Sequence, residues 1–260
     1  MVLLDNGGRA SGECELLASP VDLAPLVEHL WIQERAHATP TWRVVADAAP
    51  HLIATVTETE RGPRAAVTLV GARSAAADID VSRRRLTVGV RLKPGALPAL
   101  VNFAARELTD RSISAASVFS GTLLHNVQIG ADAPARLIAC ELSDLVRRAA
   151  HGHVPSRALP ETAAGSTRVS EIAARLHSPS RTLRDIAMRD VGFGPKRLLR
   201  IFRLHAALTA ARSTDATWAT IALGTGFADQ AHLIREMRAL LGETPSVWSS
   251  RGHRRSSHAT

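Results

Sequence analysis

Two segments near the C-terminus, RVSEIAARLHSPSRTLRDI (168–186) and TIALGTGFADQAHLIREMRALLGETPSVW (220–248), repeat one pattern. In the first, Ile172-Ala173 is followed four residues after the Ala by His177 and ten after it by Leu183. In the second, Ile221-Ala222 is followed four residues after the Ala by Gly226 and eleven after it by Leu233. An apolar pair, a turn residue and a further Leu at such spacing describe a supporting helix, a tight turn and a second helix packed on the first. The two Ala lie 49 residues apart, with a long apolar-periodic run between them. Residues 168–248 therefore read as two helix-turn-helix units joined by a helix.

Working outward, Val169, Ile172, Ala173 and Leu176 make the apolar stripe of the first supporting helix. Leu183, Ile186 and Ala187 make that of the following helix, at i, i+3, i+4. The opposite face carries Arg181, Thr182, Arg184, Asp185 and Arg189. His177 must turn left-handed, which His does more readily than most residues, and Ser178 is the expected N-cap ahead of Pro179. Gly192-Phe193-Gly194-Pro195 breaks the chain and starts the joining helix, with Leu198, Ile201, Phe202, His205 and Leu208 turned inward. Lys196, Arg197, Arg200 and Arg203 lie where they could reach phosphate. Trp218, Ile221 and Ala222 pack the second supporting helix, and Asp229 is the expected N-cap of the helix that carries Gln230, Ala231, His232, Ile234 and Arg235.

These segments, together with GFGPKRLLRIFRLHAAL (192–208), resemble the DNA-binding domain of the AraC family of bacterial transcription regulators. The most diagnostic part is GFADQAHLIREMR (226–238) followed by GETP (242–245). The resemblance covers roughly the last third of the chain and departs at three points. His177 stands where the family places Gly, the Ser-Pro pair sits one residue early, and Ile186 and Met237 replace the usual Phe. The resemblance implies base-contacting positions at Arg181, Arg184 and Asp185 in one reading helix and at Gln230, Ala231, Ile234 and Arg235 in the other. Arg is the natural bidentate partner of guanine and Gln of adenine, and Ile can meet a thymine methyl. Thr182 and His232 complete the candidate DNA-binding set, His232 either donating to phosphate or packing locally.

Charge agrees with this placement. The chain has 260 residues and net charge +8, but residues 161–260 carry 15 Lys+Arg against 8 Asp+Glu, whereas residues 1–160 carry 17 against 16. The positive field belongs to the end that would meet a polyanion. Length allows two domains. No apolar run approaches the ~18 residues a membrane span needs, and the N-terminus MVLLDNGGRASGECEL lacks the layout of a secretory signal. Two unrelated thiols, Cys14 and Cys140, suggest a reducing cytoplasm.

The N-terminal half reads as strands: Trp42–Ala46, His51–Thr57, Ala65–Gly71, Ile79–Val81 and Arg85–Leu92, separated by Pro, Asp and Gly breakers. In the last of these, Leu86, Val88, Val90 and Leu92 alternate with Arg85, Thr87 and Arg91, predicting one buried and one polar face. Pro20–Glu34 reads as a short helix or a strand-helix segment, Leu97–Leu108 reads as helical, and a last helix, Ala135–Ala150, puts Leu137, Ile138, Leu142, Leu145 and Val146 on one face. Leu26-Val-Glu-His-Leu-Trp31, Val90-Arg-Leu-Lys-Pro-Gly95 and Arg106-Glu-Leu-Thr-Asp-Arg111 resemble an uncharacterised domain often found ahead of AraC-type helices, which implies a sensing or dimerising module.

The expected fold is thus α+β. A β-rich sensor or dimerisation domain with flanking helices (1–150) is followed by a linker (151–167), the all-α reader of two helix-turn-helix units (168–248) and a basic tail (249–260). Glu107 and Asp110 are read as an ion-pair network with Arg106 and Arg111 rather than a catalytic pair. His29, His37, His51 and His125 show no metal-ligand spacing, His151 and His153 read as linker, and no cofactor or catalytic motif is present. The expected partner is double-stranded DNA; RNA polymerase, a small-molecule effector and a second copy of the chain are further candidates, and a membrane is not. The rival readings are an enzymatic or ligand-binding N-terminal half merely localised by the reader, and an interaction module that no longer binds DNA.

Overall fold

The computed structural model describes residues 3–5, 14–34, 41–119, 132–150 and 158–250. His37, His125, His151, His153 and the basic tail beyond Ser250 lie outside them. Strands β1 (Leu3–Asp5), β2 (Cys14–Ala18), β3 (Val27–Glu34), β4 (Thr41–Val44), β5 (His51–Thr57), β6 (Arg64–Val70), β7 (Ala77–Asp80), β8 (Arg84–Leu92) and β9 (Ser112–Ser114) come first. They pair antiparallel into a six-stranded sheet, order β2-β3-β8-β5-β6-β9, and a three-stranded one, order β1-β4-β7. Strand alternation sets the layers. Leu30 and Ile32 of β3, Leu52, Ala54 and Val56 of β5, and Leu86, Val88, Val90 and Leu92 of β8 share one core. Helix α1 (Ala135–Ala149) lays Ile138, Leu142, Leu145 and Val146 on it, as its periodicity predicts, whereas Leu137, expected on the same face, is 49% exposed. From the opposite face of the same strands, Trp31, His51, Ile53 and Thr55 enclose a cavity with Trp42, Val44 and Ile79 of the small sheet.

Three expectations change here. The polar face of β8 is not solvated, since Thr87 is 1% and Arg91 6% exposed; β8 is a central strand and its second face is covered too. Pro20–Glu34 is not helical: after a 3-10 turn at Val21–Leu23 it becomes β3. A strand buried on both faces offers a continuous apolar run that periodicity cannot tell from a helix. Leu97–Leu108 forms two 3-10 turns, Leu97–Ala99 and Ala105–Glu107, instead of one helix. Within it Glu107 accepts the Ala104 N–H at 3.1 Å, and just beyond it Asp110, at φ 58°, accepts the N–H and hydroxyl of Ser74, both at 2.7 Å. Both carboxylates hold loops and do not pair with Arg106 or Arg111.

The helical part comprises α2 (Ala158–Ala164), α3 (Val169–Arg175), α4 (Ser180–Asp190), α5 (Pro195–Ser213), α6 (Trp218–Gly224), α7 (Gln230–Leu240) and α8 (Pro245–Trp248). The expected linker thus contains α2, whose Leu159 and Ala163 enter the helical core. A seven-residue helix with Pro160 in its first turn leaves little amphipathic signature. No helix among the described residues is long and apolar enough to cross a membrane. Cys14 and Cys140 are exposed free thiols.

The two halves meet at the segment after β4. Val45, Ala46 and Ala48 sit in the helical core, while Asp47 between them turns the other way. Ala46 N–H donates to Leu240 O at the end of α7 (3.2 Å), and Ala46 O lies 2.7 Å from His205 Nε2 on α5. Asp47 receives both terminal nitrogens of Arg91, Nη2 to Oδ1 at 2.9 Å, and Arg91 Nε reaches Glu28 at 2.8 Å. Burial alone would raise the Asp47 pKa; Arg91 and the His51 ring outweigh it and hold the carboxyl well below its ordinary value. Burial lowers His205 and pulls His51 from 6.5 to about 4, against the neighbouring Asp47.

A pH dependence follows. On acidification the unfolded chain binds protons on these two imidazoles that the folded protein refuses. Their contribution to stability is intact above the unfolded pKa of about 6.5 and is lost as pH falls from there toward about 4. The urea midpoint is expected to drop between about pH 7 and about pH 5, and to drop less in His51→Phe. Equal midpoints at the two pH values in the unmodified protein would contradict it.

Candidate nucleic-acid interface

Each reading helix is set by its turn. In the first unit His177 takes φ 47°, the left-handed conformation its position demands. In the second, Gly226 takes φ 83°. Glu171 folds back to accept the N–H groups of Thr167 (2.7 Å) and Arg168 (3.3 Å), closing the start of α3. Asp229 caps α7, its carboxylate accepting the His232 N–H at 2.6 Å. Ser178 does not cap α4: its hydroxyl donates back to Leu176 O (3.1 Å), and α4 starts at Ser180 without a side-chain cap. Leu183 and Ala187 of α4, and Leu233, Met237 and Leu240 of α7, are fully buried, with Ile186 partly so. Met237 therefore anchors its helix in place of an aromatic ring.

The outer faces are as the spacing predicts. Arg181, Thr182, Arg184 and Asp185 on α4 are exposed, as are Gln230, Ala231 and Arg235 on α7, while Ile234 and His232 are half-buried. His232 resolves toward local packing: its Nδ1 accepts the Ala228 N–H (3.3 Å), and its ring stands edge-on to Phe227.

Hydrogen bonding sorts the arginines into two kinds. Arg189 is held by Asp190 (2.6 and 3.0 Å), Arg197 by Ser74 O, and Arg200 by Glu236 (2.8 Å). Arg203 donates to Gly226 O (3.1 Å) and lies over the Phe227 ring. Arg197, Arg200 and Arg203, expected near phosphate, are thus structural, and the Arg200–Glu236 pair ties the joining helix to α7. Arg181, Arg184, Lys196, Arg235 and Arg238 are exposed and make no salt bridge among the described residues. A guanidinium without a partner is one whose donors remain available to a ligand.

Families of known domains match both halves. One described as a helix-turn-helix domain matches residues 172–251, and a domain of unknown function, DUF6597, matches residues 17–114. The C-terminal part is an AraC-type helix-turn-helix domain. The chain thus joins a helix-turn-helix domain to a second domain of unknown function. No curated protein matches the chain. Among solved structures, ToxT from Vibrio cholerae strain SCE256, bound to an unsaturated fatty acid, shares 10% identity at TM-score 0.47, over 97% of this chain and 100% of that one. ToxT from Vibrio cholerae in its P21 crystal form shares 8% at TM-score 0.45, over 86% of this chain and 99% of that one.

One neighbour of the AraC-type reader was not visible in the sequence. Helix α4 packs against the 3-10 turns of the N-terminal half, and Arg106 lines a shallow cleft with Thr182, Asp185, Ile186, Met188 and Arg189. Thr109 Oγ1 donates to Gly192 O at 2.9 Å, fixing the turn that follows α4. Nothing local marks Arg106 for this place, because its neighbours lie about 80 residues further along. Among the described residues no three His, Cys, Asp or Glu side chains gather as metal ligands.

Proposed function

We propose that the chain is a DNA-binding transcription regulator of the AraC type, reading DNA with the N-terminal turns of α4 and α7, placed in successive major-groove segments about 10 bp apart. The observation that carries the assignment is the sorting of the cations: Arg181, Arg184 and Arg235 are exposed on the two reading helices without a salt bridge among the described residues, whereas Arg189, also exposed, is held by Asp190. Arg181, Arg184 and Arg235 are assigned to guanine or phosphate, Gln230 to adenine, and Ala231 and Ile234 to thymine methyl groups. Thr182 and Asp185 border the same groove, Asp185 accepting from cytosine N4 or orienting Arg181. His232 keeps the start of α7 in shape. Lys196, at the first turn of the 19-residue helix α5, is assigned to phosphate. The N-terminal half (1–150) acts on the reader as a sensor or a pairing module.

The test is a selection of bound sequences from random DNA, followed by gel shift. Arg184→Ala and Arg235→Ala are each expected to cost about 1–3 kcal/mol and to relax preference at one position of the site. Lys196→Ala is expected to weaken all sequences alike and to shallow the salt dependence by about one ion. Unchanged affinity and preference in both arginine variants would sink the assignment.

A further inference from the structure

The cavity between the two sheets has a volume of about 150 Å³, the size of an engineered protein cavity that binds benzene. Its walls are apolar where the small sheet supplies Trp42 and Ile79 and β5 supplies Ile53. Its polar complement is unusual. Trp31 and His51 are each 3% exposed, line the cavity, and leave Trp31 Nε1 and His51 Nδ1 buried without a hydrogen-bond partner. Buried polar atoms are nearly always satisfied, and an orphan calls for a missing partner. The Trp31 ring cannot turn aside cheaply, since it lies flat over Gly89, where even a Cβ would come within 2.2 Å of it.

Charge narrows the partner further. Arg73 and Arg84 both line the cavity, both are half-buried, and neither makes a salt bridge among the described residues. The acid in the lining, Asp47, is already taken by Arg91. Asp80 acts on Arg84 only from beyond ion-pair distance, and partly desolvated guanidiniums without a carboxylate in contact favour an anion. The site therefore offers two cations, an N–H donor and an imidazole nitrogen around an apolar space too small for more than a ring or a branched chain.

We propose that this cavity binds a small carboxylic acid in its anionic form, with an aromatic or branched aliphatic body packed against Trp42, Ile53 and Ile79. Its carboxylate is held by Arg73 and Arg84, with the Trp31 N–H as a further donor. The site rests on its own geometry and not on the assignment of the DNA-contacting residues.

The experiment titrates the full-length protein with benzoate, phenylacetate and 4-methylpentanoate, using benzamide as the uncharged control, and follows tryptophan fluorescence and the melting temperature. Trp31 and Trp42 are two of the four tryptophans, so occupancy reports directly. At least one acid is expected to bind saturably and raise the melting temperature, with benzamide about tenfold weaker or worse. The Arg73→Gln/Arg84→Gln double variant, whose side chains are only half-buried, is expected to lose that preference for the anion. Trp31→Phe is expected to weaken the acid while leaving the gel shift intact. Arg235→Ala is expected to leave acid binding unchanged while DNA binding falls, which separates this site from the reader. Failure of all three acids at millimolar concentration, benzamide binding as well as benzoate, or undiminished acid binding in the double variant would each overturn the proposal.

Discussion

Arg91→Ala is expected to destabilise the protein by about 3–5 kcal/mol, because it leaves Asp47 ionised, buried and without its main counter-charge. Asp47 is 3% exposed and Arg91 6%, so water cannot stand in for the lost guanidinium. The Ala49 N–H that Asp47 also accepts (3.1 Å) is neutral, and burial lowers the pKa of the nearby His51 and His205, so these offer little compensation. Attraction within a buried pair roughly balances what both groups lose on leaving water, so the damage comes from breaking the pair and not from lacking it. Asp47→Leu combined with Arg91→Leu should therefore recover most of the loss. Urea unfolding of the single and double variants decides the matter: a single-variant cost under about 1 kcal/mol would mean the pair is solvated, and no recovery in the double variant would mean Arg91 acts by packing. The effect should not stay in the N-terminal half. Asp47 lies between Ala46 and Ala48, which belong to the reader's core, so the segment loosened by Arg91→Ala is the one bonded to His205 and to the end of α7.

That shared segment also shows where sequence reasoning stops. The reader was legible because its signals are local. Asp229 announces its cap, Gly226 and His177 announce left-handed turns, and Leu183 and Leu233 sit a fixed distance from the Ile-Ala pairs. Strands β4 to β8 were legible for the same reason, down to the Leu86-to-Leu92 alternation, while β1, β2 and β9 carried no such signal. What the sequence hid was every feature defined by a distant partner. The second face of β8 looked solvated because the small sheet that covers it comes from β4 and β7, and Trp42 lies 45 residues before Thr87. Leu30-Trp31-Ile32 left helix and strand open because a short run that is apolar on both faces shows no alternation. At the interface itself, spacing located the exposed residues of α4 and α7, but could not say which arginines were free. Arg197, Arg200 and Arg203 resemble Arg181 and Arg184 in sequence and differ only in having Ser74, Glu236 and Gly226 beside them.

Trp248→Ala is the second large effect, expected to cost about 3–5 kcal/mol and to fall on the second reading unit. Trp248 is fully buried at the end of α8, a helix of four residues, far too short to persist without tertiary packing. Its ring stands edge-on to Trp218 of α6 with centroids 5.6 Å apart, and Arg212 of α5 lies over it at 5.7 Å. One side chain thus closes the supporting helix, the joining helix and the C-terminal turn together, and the cavity left by its removal cannot be filled from any one of them. Because α7 is positioned by that same core, DNA affinity should fall with stability, whereas the separate core under α1 should keep the N-terminal sheet folded. The neighbouring Val247, 40% exposed, provides the control: Val247→Ala should stay within about 0.5 kcal/mol. Thermal unfolding followed by amide exchange would show the difference, with α6 to α8 exchanging first in Trp248→Ala while β5 and β8 remain protected. Equal behaviour of the two variants would mean that the C-terminal turn is ornamental to the fold, and that α7 is held in place by Leu233 and Met237 alone.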